Sequence, residues 1–141
     1  MKLKNGLILI AFIAIAFTAC KDDEDKTTPS TKTKMELLTS GSWIPTDLLT
    51  NDTSFYDLIP VCSRDDFYTF NSNGTYITNE GALKCDPNDP QTSSDNWSFN
   101  SNQTKIIIDG DQADILELTE TVMRLKSMDS TDVIEVRYRK K

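Results

Sequence analysis

A period of two in the apolar residues constrains the fold of this chain more than any other feature. In residues 66–70 (DFYTF), Tyr68 and Phe70 fall on the same face of an extended backbone. Because successive side chains of a β-strand point to opposite faces, this alternation predicts a strand with one buried face. Clusters of Asn, Asp, Ser and Gly separate such segments and predict tight turns between them.

The same period assigns inward-facing residues to every later segment. They are Trp97, Phe99, Ile106, Ile108, Leu116, Leu118, Met123, Leu125, Ile134, Val136 and Tyr138. Short strands with one apolar face and tight connections predict an all-β fold. We expect a closed antiparallel sheet, because closure leaves no exposed edge.

The first predicted hairpin has two alternative registers, which depend on how residues 71–74 (NSNG) turn. A type I turn followed by Gly74 in the left-handed region places Phe70 opposite Tyr76. A two-residue Asn-Gly turn pairs Phe70 with Ile77 instead. The first register is favoured because it brings the aromatic rings together on one face.

One short helix is predicted before the strands. Met35, Leu37 and Leu38 are the apolar residues of the segment 31–40, and Gly41 is suited to ending a helix. With this helix at its start, residues 35–141 are long enough for a single domain with one core. The segment between Trp43 and Asp66 fits no simple succession of strands.

Residues 1–19 have the composition of a secretory signal peptide. Lys2 and Lys4 precede an unbroken apolar run at residues 7–17 (LILIAFIAIAF). A basic start, an apolar run and a small-residue exit are typical of such signals. The run is shorter than the roughly 20 residues that span a bilayer as a helix. We therefore expect these residues to be removed rather than to form a permanent anchor.

The residues that end this signal, FTAC at positions 17–20, resemble the lipobox of bacterial lipoproteins. The resemblance implies cleavage before Cys20, a diacylglycerol on its thiol and acylation of the new amino terminus. Phe17 stands where the usual pattern has Leu or another aliphatic residue. Two or three acyl chains give a lasting anchor. We therefore expect the protein to be attached to its membrane partner by the lipid on Cys20.

Residues 20–34 are predicted to be a flexible tether, because their charged, Thr-rich sequence cannot bury a core. The acidic run at residues 21–25 (KDDED) has two interpretations. It keeps the tether solvated, or it is a signal for surface display, since it resembles the export signal of Bacteroidota surface lipoproteins. We expect the cell outer membrane as the location, with the domain facing the exterior; the periplasmic face is the alternative.

The net charge of the chain limits the kinds of partner that the protein can bind. The chain carries a formal net charge of −7, which becomes −9 when Lys2 and Lys4 are lost with the signal. Such an acidic protein lacks the basic surface that nucleic acids require, so no nucleic-acid partner is expected.

Once Cys20 is lipidated, Cys62 and Cys85 remain as a pair in an oxidising compartment. This context predicts a disulfide between them.

The ordered set of motifs in this chain resembles the small lipocalin-like lipoproteins of Bacteroidota. The similarity covers most of residues 37–126 and is carried by GSW at 41–43, DFYTF at 66–70, NGTY at 73–76, EG at 80–81, KCDP at 84–87 and WSF at 97–99. It implies a small up-and-down barrel, shorter than a full lipocalin, with no agreed ligand.

Two functional classes are disfavoured by the sequence. The chain has no histidine, the commonest general base at neutral pH, and no motif for an activated nucleophile. The adjacent pair Asp65 and Asp66 is expected to point to opposite faces of a strand. We therefore predict that the protein is not an enzyme. The acidic clusters at residues 86–89 and 109–114 lack the spacing of a calcium loop and are typical of turns, so no metal or other cofactor is predicted.

Two further classes fit the sequence. Small closed barrels either fill their interior or hold one small ligand. The predicted ligand-binding residues for an apolar or amphipathic molecule are Trp43, Tyr68, Phe70, Tyr76 and Trp97. Rings that merely fill the core are the plainer interpretation of the same residues. The runner-up is a protein-interaction module of the cell envelope, which would use the braced Cys62–Cys85 loop and the segment 87–95 to contact a protein partner.

Overall fold

A computed structural model describes residues 31–141, so the expectations for the signal peptide, Cys20 and most of the tether lie outside the described residues. The described chain has one helix, α1, at Lys34–Thr39 and two 3₁₀ turns, at Tyr56–Leu58 and Val61–Ser63. Its strands are β1 Ser42–Thr50, β2 Thr53–Ser54, β3 Phe67–Phe70, β4 Thr75–Asn79, β5 Thr92–Phe99, β6 Lys105–Ile108, β7 Asp111–Leu118, β8 Val122–Asp129 and β9 Asp132–Lys140.

The strands form one closed antiparallel sheet. Each long strand pairs with its neighbour in the sequence, and β1 also pairs with β9, which closes an eight-stranded barrel. The two-residue strand β2 pairs only with the end of β1 and lies outside the barrel. The predicted all-β closed barrel with one short helix is confirmed. Residues 31–141 contain this whole closed sheet and its core, which is what an independent folding unit requires.

Helix α1 closes one end of the barrel. A capping box starts it: the Thr33 backbone N–H donates to the Glu36 carboxylate (2.7 Å), and the Glu36 N–H donates to the Thr33 hydroxyl (3.2 Å). Within the helix, Leu37 and Leu38 are the buried residues. The indole N–H of Trp43 donates to the Leu38 carbonyl (2.9 Å), so the helix end and the barrel core are joined directly.

The β3–β4 hairpin has the favoured register. Phe70 is the partner of Tyr76, and their ring centroids lie 4.9 Å apart. Gly74 has φ +85, and its carbonyl accepts a hydrogen bond from the Trp97 N–H (2.8 Å). A side chain at this position would be strained by the backbone conformation and would approach the Trp97 carbonyl closely. The alternative pairing of Phe70 with Ile77 is therefore wrong.

The core occupies the half of the barrel nearer to α1. Its buried members are Leu38, Trp43, Phe70, Trp97, Ile106, Met123 and Leu125. Most of the predicted inward-facing residues belong to this cluster or pack against it. Leu116 does not: it is 43% exposed, and the prediction that it faces inward is wrong. A bulge between Ile115 and Glu117 leaves Leu116 without a partner on β8, which changes the phase of the alternation within β7.

The segment that the sequence left unassigned forms a strand, a hairpin and a loop. Strand β1 continues to Thr50 and pairs with β9 along its length, with a bulge between Pro45 and Asp47. It pairs with β3 only through Ser42 and Trp43. Beyond that point β1 and β3 separate. The loop of residues 55–66, called here the β2–β3 loop, connects β2 to β3 beside this gap.

The predicted disulfide is present and joins this loop to the β4–β5 loop, residues 80–91. Cys62 and Cys85 are bonded with a Cα–Cα distance of 5.1 Å. Asp65 adds a second connection, because its Oδ2 accepts hydrogen bonds from the N–H groups of Ala82 (2.6 Å) and Leu83 (3.1 Å). Both loops are thus fixed to one another at the end of the barrel opposite α1.

Replacing both Cys62 and Cys85 with Ser is expected to lower the free energy of unfolding by about 3 kcal/mol, since the cross-link restricts the unfolded chain. Urea denaturation of a fragment of residues 31–141 measures this change. Reductant should lower the stability of the parent fragment similarly and leave the double variant unchanged. Equal stability of the two proteins in oxidising buffer would contradict the expectation.

Candidate functional site

Three of the five predicted ligand-binding residues lie in the core. Trp43 is completely buried, and Phe70 and Trp97 are nearly so. Phe70 and Trp97 pack edge to face, with ring centroids 5.5 Å apart. The indole N–H of Trp97 donates to the Asn71 carbonyl (2.9 Å), so its polar atom is already bonded within the protein. These rings fill the half of the barrel closed by α1.

The other two predicted residues belong to a group of three tyrosines further from α1. Tyr68 and Tyr76 stack with centroids 5.7 Å apart and an interplanar angle of 8°. Tyr138 meets Tyr68 edge to face at 5.9 Å. Burial is the main cause that raises the pKa of all three hydroxyls above the usual range. They therefore stay protonated at neutral pH as potential hydrogen-bond donors.

A cavity of about 220 Å³ lies in the gap between β1 and β3. Its walls combine apolar, aromatic and acidic side chains: Pro45, Leu48, Asp66, Tyr68, Val136 and Tyr138. The cavity exists because β1 leaves β3 after two residue pairs while it stays on β9.

The β2–β3 loop supplies the remaining wall of the cavity through Ile59 and Ser63. Three hydrogen bonds hold the loop in place. The Tyr56 hydroxyl donates to the Pro45 carbonyl of β1 (3.2 Å), and the Arg64 guanidinium donates to the carbonyls of Asp57 (2.8 Å) and Ile59 (2.9 Å). The disulfide at Cys62 fixes the loop from its other side.

Asp66 is the unusual residue of this cavity. Only 8% of its surface is exposed, its Oδ1 is buried, and its carboxylate accepts no hydrogen bond from residues 31–141. Burial, followed by the charges of Glu80 and Asp65, raises the pKa of this carboxyl. The second acidic wall residue, Asp47, differs because its carboxylate accepts from the Ser54 hydroxyl (2.6 Å) and lies 3.8 Å from Arg137.

The predicted opposition of the two adjacent aspartates agrees with their contacts, since Asp65 bonds the β4–β5 loop and Asp66 lines the cavity. Asp66 was absent from the predicted ligand-binding residues, as was Tyr138. A signal for both was available. Asp66 has the same parity as Tyr68 and Phe70 in the alternating segment, and Tyr138 was itself predicted to face inward.

Of the acidic segments considered for calcium, residues 86–89 form a turn, whereas residues 109–114 comprise a two-residue turn followed by the start of β7. Asp109 and Gly110 both have positive φ between β6 and β7, and the Asp86 carboxylate accepts from the Asn88 N–H (2.8 Å). Within residues 31–141, no three acidic or cysteine side chains converge as metal ligands would.

The one helix of that same stretch is too short to cross a membrane.

No protein-family model and no curated protein matches this sequence. The site is therefore interpreted from its own geometry.

Replacing Asp66 with Asn is expected to raise the free energy of unfolding at neutral pH by about 1 kcal/mol, because it removes a buried charge that has no partner. The raised pKa means that the folded state keeps the Asp66 proton to a higher pH than the unfolded chain does. The gain should therefore be small well below the unfolded-state pKa of about 3.9, where Asp66 is protonated in both states, and should grow as the pH rises through and above it.

Urea denaturation of the 31–141 fragment across this pH range measures the effect. The adjacent substitution Asp65→Asn is the matched control, since it changes the net charge equally but weakens the hydrogen bonds from Ala82 and Leu83. It should destabilise the fragment. A loss of stability at neutral pH in Asp66→Asn would mean that the Asp66 charge is already compensated in the protein.

Proposed function

We propose that this protein is a lipid-anchored, lipocalin-like envelope protein that binds a small apolar or amphipathic molecule at the end of its barrel opposite α1. The observation that carries the proposal is the cavity between β1 and β3, which places the Asp66 carboxylate among apolar and aromatic walls. Ligand sites commonly combine mostly apolar walls with a few polar groups that fix orientation. Tyr68 and Tyr138 supply such groups beside Asp66.

The likeness to lipocalins rests on the sequence motifs together with the coarse architecture. A closed antiparallel barrel of eight strands has an interior suited to one small ligand. Trp43 is the tryptophan of the GSW motif at residues 41–43. Its indole N–H donates to the Leu38 carbonyl, and the Lys140 ammonium lies 3.9 Å from the centroid of its ring. The motif therefore belongs to the closed end, and the ligand is assigned to the other.

The proposed lipid anchor is consistent with this arrangement. Helix α1 follows directly after residues 31–33 and covers the closed end of the barrel. An anchor at Cys20 would then be attached on the side of the closed end, and the cavity lies at the opposite end of the barrel. We propose the outer membrane, with the domain on the cell exterior, as the setting in which such an opening meets its ligand.

A protein-interaction module of the envelope is the second candidate, and a specific observation favours it. Leu58, Val61 and Leu83 are 76%, 65% and 52% exposed, and they lie in the two loops that the disulfide joins. Exposed apolar residues on a braced loop are typical of contact surfaces. In this case, the barrel would be a support for the loops, and the cavity would have no ligand.

A cavity-filling substitution separates the two candidates. Val136→Phe adds volume to a wall of the cavity and is expected to abolish small-molecule binding, whereas Val133→Phe changes the opposite side of β9 and should not. The 31–141 fragment is exposed to a lipid and metabolite extract of a bacterial envelope and examined by native mass spectrometry. The parent and Val133→Phe should carry an added mass that denaturation removes.

A bare polypeptide mass for the parent fragment would instead favour the interaction module. Circular dichroism of each variant verifies that the barrel is folded before binding is compared.

The anchor has its own test. In cells fed an alkyne-labelled fatty acid, the full chain should incorporate the label, and Cys20→Ala should abolish incorporation because the thiol that carries the lipid is gone. Lys21→Ala is the neighbouring control and should retain the label. Labelling of Cys20→Ala at the level of the parent chain would refute lipidation at this cysteine.

A further inference from the structure

The charged residues that line the cavity are all acidic. Its acidic wall residues are Asp47 and Asp66, and no lysine or arginine is among the residues that line it. Asp47 is already engaged by Ser54 and Arg137. Asp66, in contrast, has only 8% of its residue surface exposed, its Oδ1 is buried, and its carboxylate accepts no hydrogen bond from the described chain. A buried carboxylate without a partner is costly, so a partner from outside would gain much of its interaction energy here.

The cations that are close in the sequence or along the barrel are held elsewhere. Arg64, two residues before Asp66, donates to the carbonyls of Asp57 and Ile59 and lies over the Tyr56 ring. The Lys140 ammonium donates to the Leu37 carbonyl (3.0 Å), and the Lys141 ammonium lies over the Phe67 ring. The Asp66 carboxylate is therefore not neutralised by any of these three side chains.

The aromatic walls fit a cation as well. Tyr68 and Tyr138 both line the cavity, with their ring planes at 87° to one another. Ring faces attract ammonium groups, most strongly in places with little water. Leu48 and Val136 provide apolar surface for the carbon chain of such a molecule.

A divalent metal ion fits this site less well. Calcium takes six to eight oxygen ligands, and within the described part of the chain no three acidic or cysteine side chains converge as metal ligands would. A single available carboxylate beside aromatic rings is instead the arrangement that suits an organic ammonium group.

We infer that the cavity between β1 and β3 binds a small organic cation, an alkylammonium group whose charge pairs with the Asp66 carboxylate and whose carbon chain contacts Leu48 and Val136. This inference rests on the proposed function of small-molecule binding, since it specifies the chemistry of the ligand for the same cavity. The Tyr68 and Tyr138 rings flank the ammonium group.

Three probes of equal chain length test the inference: n-butylammonium, 1-butanol and butyrate. Their dissociation constants for the 31–141 fragment are measured at neutral pH by ligand-observed NMR titration. Butylammonium should bind at least about tenfold more tightly than 1-butanol, and butyrate should bind most weakly. In Asp66→Asn the preference should vanish, with butylammonium reduced to the affinity of 1-butanol and 1-butanol itself unchanged.

Asp129→Asn is the matched control, because it removes the same charge from the end of β8, which does not line the cavity, and should keep the preference. Equal affinity of butylammonium and 1-butanol for the parent fragment would overturn the cationic specificity and leave small-molecule binding in place. A preference that persists in Asp66→Asn would overturn the assigned role of this residue. Binding of none of the three probes would overturn the inference, and failure of the envelope extract to supply a bound mass would then overturn the proposed function too.

Discussion

The unequal pairing of β1 is the constraint on which the rest of this structure depends. This strand closes the barrel by pairing with β9 from Trp43 to Thr50, yet it pairs with β3 through only two residues. A barrel sealed equally on both sides of β1 would have no gap at this position. Pro45 has no N–H to donate and lies beside the bulge, where the ladder with β9 is interrupted. The short pairing of β1 with β3 leaves the gap in which the cavity lies, and the remaining elements determine what surrounds it.

The two ends of the barrel consequently have different chemistry. At the closed end, the polar atoms of the large aromatic residues are bonded inside the protein, as the Trp43 and Trp97 indoles show. At the other end, the Asp66 carboxylate forms no hydrogen bond with other described residues, and Tyr68 and Tyr138 line the cavity beside it. Large interior groups at one end stabilise the fold, and polar groups at the other are available for recognition. The disulfide and the Asp65 contacts hold the loops over this second set without using it.

The sequence predicted those features that local periodicity controls. Alternation identified the strands, the turn chemistry of residues 71–74 gave the register of Phe70 with Tyr76, and the cysteine pair was correctly joined. The errors arose where a non-local event interrupts the period. The bulge at Leu116 changes the phase within β7, and no local pattern marks it. The path of residues 44–65 was not predictable because it depends on β9, which lies far along the chain. Asp66 was overlooked because it was considered only as half of an acid–base pair.

Asp66 shows why the candidate site differs from the predicted aromatic set. Large rings are the obvious feature of a sequence, but their size makes them the residues that fill a small barrel, as Trp43 and Phe70 do. A charged residue that follows the inward parity of a strand is a more specific indication, because burial without a partner has a cost that the fold alone does not offset. The same carboxylate raises the energy of the folded state and would give the proposed cationic ligand its strongest contact. A position whose burial opposes folding is thus the one proposed to contact the ligand.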